Sequence, residues 1–134
     1  MTRMGHMNLL AVLVAGLAAM ILSMVYYIGF SRSMATLHPA YADPNARPAP
    51  WQVGVELLRS LVLAFVVSLL AHFIRSDSAG ESVHLALLLW VGFPLVLWTG
   101  AVVWERVPRK LAAIHAGDWL LKLLVVAFIV SVWQ

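Results

Sequence analysis

Four apolar stretches, Met7–Phe30, Val53–Ile74, Val83–Trp104 and Leu111–Trp133, take up most of this chain. Each is long enough to cross a hydrocarbon core of about 30 Å, which takes roughly 20 helical residues. Inside such a core every backbone N–H and C=O must be satisfied within the protein, and a helix does this segment by segment. The pattern predicts an all-α integral membrane protein, a bundle of four transmembrane helices forming one domain over residues 1–134. Composition agrees: 63% of the 134 residues are hydrophobic and 11% are charged. A soluble domain carries about 25% charge.

The first stretch follows Arg3 and invites comparison with a signal peptide. It is longer than a typical h-region, however, and it ends in Met24-Val25-Tyr26-Tyr27 rather than small residues, so it reads as a retained helix. There are no cysteines, which removes disulfide, thiol and iron–sulfur chemistry. The pI is near 9.8, but the net charge is +3 and no basic run occurs. The basic residues therefore read as topology markers, the bilayer is the expected partner, and nucleic acid is not. Arg32, Arg47, Arg106, Arg109 and Lys110 lie in the first and third connections, against Arg3 and Arg75 on the opposite face. That bias puts both termini on the non-cytoplasmic side of the membrane.

Ala11, Ala15, Ala19 and Ser23 recur every four residues in the first span. This small-residue stripe lets another backbone approach closely, within the bundle or across a self-associating or partner interface. Tyr26 and Tyr27 read as interfacial aromatics. The connection Ser31–Pro50 holds four of the six prolines and a turn signal at Asp43-Pro44-Asn45; it is either a spacer or a cap on the bundle. In the second span Glu56, Ser60, Ala64, Ser68 and His72 form one polar and small seam. Pro94, after Gly92-Phe93, cannot donate to the Trp90 carbonyl and should kink the third.

Charges inside spans need a reason, because insertion scales charge about 2.5–3.5 kcal/mol for each at a helix centre. Glu56 and Arg59 enter the second span, and His115, Asp118 and Lys122 share a face of the fourth, all toward the same side of the membrane. Cross-pairing of Arg59 with Asp118 and Glu56 with Lys122 would clasp these two helices. Alternatively Asp118 and Lys122 pair within their helix at i,i+4, or Lys122 reaches the carbonyl that Pro94 frees. A proton- or cation-coupled transporter using Glu56, His115 and Asp118 is the functional alternative to a clasp. The internal balance of charge argues against it. His72 and His84, either side of a short hairpin, could bracket a haem or chlorin, with Ser68 leaving room for the ring; two interfacial histidines meeting water is the plainer reading. No metal-ligand spacing and no catalytic triad or carboxylate pair is evident, so neither a metal site nor an enzyme is expected.

The third and fourth spans contain Leu87-Leu88-Leu89-Trp90-Val91-Gly92-Phe93-Pro94, Trp104-Glu105-Arg106, Ile114-His115-Ala116-Gly117-Asp118-Trp119-Leu120-Leu121 and Val132-Trp133. With Asn8–Val12 and Tyr26-Tyr27, these resemble the bacterial four-helix membrane family known only as domain of unknown function seventeen-sixty-one. The resemblance covers nearly the whole chain outside the first connection and implies architecture, not activity. Members usually show Asn, then Ala-Gly-Tyr, where this chain has His115, then Ala116-Gly117-Asp118. The expected role is a non-enzymatic accessory or structural subunit, self-associating or docked in a larger membrane complex.

Overall fold

The computed structural model describes residues 7–43 and 46–133. Arg3, Pro44, Asn45 and Gln134 lie outside them. Four spans are present: α1 (Leu9–Gly29), α3 (Pro50–Phe73), the pair α4 (Ala79–Gly92) and α5 (Pro94–Trp104), and α6 (Arg109–Val132). By length and apolar composition all four can cross a membrane. Between α1 and α3 the chain makes the short helix α2 (Ser31–Ala35) and a 3-10 turn at Pro39–Tyr41.

Local chemistry sets the ends. Asn8 caps α1 by accepting from the Ala11 N–H, and its side chain reaches the Trp133 carbonyl at the end of α6. Ser78 caps α4, while Glu81 accepts from the Asp77 N–H. At the end of α3 the Ser76 N–H bonds Ala71 O and the Arg75 N–H bonds His72 O, a Schellman closure. Arg75 itself holds φ 58°, a position usually given to glycine. Pro94 does break the third span: α4 and α5 are bent by 22°.

The helix α6 is the centre of the bundle. Of its apolar window 44% is buried, against 28, 22 and 17% for the first, second and third spans. It packs on α1, on α3 and on both halves of the third span, whereas α1 packs mainly on α3 and α6. The second and third spans share no substantial contact although only residues 74–78 join them. Lipid is as apolar as leucine, so these contacts depend on close backbone approach. Ala11, Ala15 and Ala19 are accordingly buried inside this one chain. At Gly16 a Cβ would stand 2.7 Å from Leu61 Cδ2 and 3.2 Å from Leu61 Cα, which marks the α1–α3 crossing.

Two apolar clusters result. The larger gathers Ala15, Ala19, Ala64, Val67, Val126 and Val130 toward the end where α1 begins and α6 finishes. The smaller joins Met34, Leu111 and Ile114, with Tyr26, Tyr27 and Leu37 against it, at the opposite end. The first connection is thus a cap, with Met34 of α2 buried on the start of α6.

Candidate functional site

A polar cluster lies between the two apolar ones, where the last turns of α1 face the first turns of α6. Asp118 sits nine residues into α6, about 14 Å along the helix. It is 1% exposed and Lys122 is 9% exposed. Lys122 Nζ stands 3.0 Å from Asp118 Oδ2 and 4.2 Å from the centroid of the Trp119 ring. The Ser23 hydroxyl donates to Asp118 Oδ1 at 2.6 Å, and the Tyr27 hydroxyl lies 3.4 Å from Oδ2. An ionised carboxylate takes about four donors at its lone pairs. Three groups of this chain occupy the one on Asp118.

Tyr27 is also 2.7 Å from His115 Nδ1, so its hydroxyl joins His115 to Asp118. The His115 ring is stacked on Trp98 of α5, with centroids 4.5 Å apart and planes at 12°, and Tyr41 of the cap lies 6.2 Å away. Trp98 Nε1 is buried without a hydrogen-bond partner among the described residues. Two further donors bind the α6 backbone from opposite sides. Tyr26 Oη donates to Ile114 O at 2.7 Å, and Trp90 Nε1 donates to Ala116 O at 2.8 Å. Gly117 makes the first of these possible, because a Cβ there would collide with Tyr26 Oη.

The cross-pairing expected between the second and fourth spans is corrected. Arg59 bonds Glu56 one turn away on its own helix, and Lys122 bonds Asp118 on its own. The reason is the rotation of α3. Its face toward the bundle is Ser60, Ala64, Val67, Ser68 and Ala71, which leaves Glu56 and Arg59 on an exposed shoulder. Each charge then takes the partner its helix already holds at i,i+3 or i,i+4. The i,i+4 alternative is the arrangement found, and the polar contact that joins helices runs from α1 to α6 rather than from α3.

Of the seam Glu56–His72, the middle members Ser60, Ala64 and Ser68 are buried, Glu56 is exposed and His72 is half-buried. His72 lies beside Phe73, and His84 is exposed on α4. Ser68, expected to leave room for a ring, is buried on the packed face of α3. At the hairpin Ser76 and Ser131 hydroxyls meet at 2.8 Å, tying the loop to the end of α6. Among the described residues no group of three or more His, Cys, Asp or Glu could hold a metal ion.

Sequence reasoning missed Tyr26, Tyr27, Trp90 and Trp98 as members of this cluster. Aromatic pairs at the end of a span usually mark the interface, and nothing in their spacing shows that their polar tips turn inward. Residues 10–131 match the family model described as Protein of unknown function (DUF1761). No curated protein and no solved structure matches the chain.

Proposed function

The chain belongs to the DUF1761 family, whose description names no activity, and from its own residues we propose a non-enzymatic structural or accessory role in the membrane. The observation that carries this reading is the internal pairing of Asp118, whose charge Lys122 balances and whose oxygens Ser23 and Tyr27 bond from α1. A carboxylate that handles a cation is more often left without a resident counter-charge. This one holds its own and braces α1 against α6.

The distribution of polar groups supports the same reading. Past Lys122, α6 buries Leu123, Val126, Ala127 and Val130 in the larger apolar cluster, and its buried polar residue there is Ser131, bonded to Ser76. Proton relays in membranes run along Asp, Glu and His side chains, and α6 carries none of these beyond Asp118. This arrangement disfavours the transporter reading of Glu56, His115 and Asp118. The tetrapyrrole reading of His72 and His84 ranks below it, because Ser68, the small residue that would leave room for the ring, is buried on the packed face of α3.

The partner is another membrane subunit or a second copy. The bias of five basic loop residues against two supports a topology with both termini outside the cytoplasm, and the membrane of this proposal is a bacterial inner membrane.

Two measurements on the wild-type protein test the role together. Mass spectrometry of complexes released directly from native membranes should give a stoichiometric partner or a self-complex. Proteoliposomes should show no proton or cation flux above protein-free vesicles. A flux that Asp118→Asn abolishes while the protein stays folded would replace this proposal with the transporter.

A further inference from the structure

Tyr27 carries one hydroxyl proton and has two acceptors in reach, Nδ1 of His115 at 2.7 Å and Oδ2 of Asp118 at 3.4 Å. A neutral His115 that keeps its own proton on Nε2 accepts from Tyr27 through Nδ1, whereas an imidazolium can only donate there. The protonation state of His115 therefore sets the direction of a bond that joins α1 to α6. We propose that His115 is a proton sensor built into the brace: neutral, it holds α1, α5 and the first connection around the start of α6, and charged, it loosens them. The inference rests on the brace reading of Asp118 and adds its regulation.

The charge count gives the sign. Lys122 Nζ stands 3.0 Å from Asp118 Oδ2, so the cluster is neutral before any proton arrives. Among the described residues, the ionisable groups that face His115 are Tyr27 on α1, His38 and Tyr41 on the first connection, and Asp118 and Lys122 on its own helix. From α5 it meets Trp98, which does not ionise. The Asp118 carboxylate and the Trp98 face attract an imidazolium. Lys122 already neutralises that carboxylate, however, and a charged His38 repels a second cation across Tyr41. A proton on the half-buried His115 thus leaves one positive charge unbalanced and partly out of water, which is unfavourable.

The proton has a way in and no way on. His38 is exposed, Tyr41 is 37% exposed, and their connection lies outside the four spans. The rings of His38, Tyr41 and His115 follow one another at centroid distances of 5.8 and 6.2 Å. Beyond Asp118, α6 has no Asp, Glu or His and enters the larger apolar cluster, so a proton arriving here stops at the brace. Its effect spreads to three elements. Tyr27 belongs to α1 and Tyr41 to the first connection. The α5 helix meets His115 through the Trp98 stack rather than a hydrogen bond, since Trp98 Nε1 is buried without a partner among the described residues.

Reversible unfolding of the full chain in detergent, followed from about pH 7.5 to about pH 5.5, covers the range in which histidine changes charge. An unfolded histidine takes its proton near about 6.5, so a folded state that disfavours it should show an unfolding constant up to about tenfold larger at the acid end. His115→Asn, whose amide oxygen can still accept from Tyr27 and which cannot be charged, should lose most of that change. His84→Gln, an exposed control, should keep it. The Trp98 share of the fluorescence, wild type minus Trp98→Phe, should change over the same range before any unfolding, and it needs no His115 variant. An acid response equal in wild type and His115→Asn, a wild type that gains stability in acid, or a Trp98 signal indifferent to pH would each overturn the sensor. Asp118→Asn at the neutral end separates the two readings. If it is costly while the acid response is missing, the brace stands without the sensor; if it costs nothing, the brace itself falls.

Discussion

At one end of the bundle α1, α3 and α6 meet through Ala15, Ala19, Ala64, Val67, Val126 and Val130, with side chains too small and too alike to select a register. At the other end Ser23, Tyr26 and Tyr27 meet Ile114, His115 and Asp118 through hydrogen bonds that reach named atoms. Both halves bury α6, but they do different work. Close packing of small residues supplies attraction between helices in lipid, where leucine against leucine gains little over leucine against an acyl chain. Directional bonds supply orientation: Tyr26 and Trp90 hold the α6 backbone at Ile114 and Ala116, and Asp118 fixes how far α1 is rotated. The apolar half makes α6 sticky, and the polar half decides which way it faces.

This contrast can be broken from either side, and the largest effect is expected at the charge. Asp118→Ala leaves the Lys122 ammonium buried without its carboxylate, and should cost about 3 kcal/mol or more in reversible unfolding from detergent. Next come the two glycines, one for each mode of contact. Gly117→Ala forces Tyr26 Oη off the Ile114 carbonyl, and Gly16→Ala forces Leu61 away from α1. Each should destabilise by about 1–3 kcal/mol, as overpacking does. Only the first should be relieved by a second change, Tyr26→Phe, which removes the colliding hydroxyl. Relief of Gly16→Ala by the same change would show that the halves are not separate.

Smaller effects sharpen the account. Tyr27→Phe breaks the link between His115 and Asp118 and should cost about 1 kcal/mol in the same unfolding measurement. Ser131→Ala removes the bond to Ser76 in the apolar half, and should cost about 0.6 kcal/mol, the average for a hydrogen bond between helices in a membrane. If Ser131→Ala proved as damaging as Asp118→Ala, the hairpin tie rather than the α1–α6 contact would be setting the fold.

The four spans and the bend at Pro94 were legible because they depend on length, apolarity and a missing N–H, all of which are local. The pairing of Asp118 with Lys122 was legible as an alternative, since i,i+4 spacing puts two side chains together on any helix. The partners of α1 were not. A soluble helix shows its buried face by an apolar stripe, but Leu9–Gly29 is apolar all round, so nothing in its sequence says that Tyr26 and Tyr27 turn toward α6. The same ambiguity produced the expected pairing of Arg59 with Asp118. That pairing rested on a common depth for those charges, and the rotation of α3 sets Arg59 on its outer shoulder instead. Spatial order was hidden as well: a short hairpin joins the second and third spans, yet α6 is the helix that both contact.

The central claim is that Asp118 and Lys122 act as one internally neutralised element that orients α6. A double-mutant cycle on reversible unfolding, with Asp118→Asn, Lys122→Met and the two combined, tests it most directly. The account predicts that each single change is clearly destabilising, while the pair together costs much less than their sum, because neither charge is then left buried alone. Strictly additive losses, or singles no worse than an exposed substitution, would contradict it.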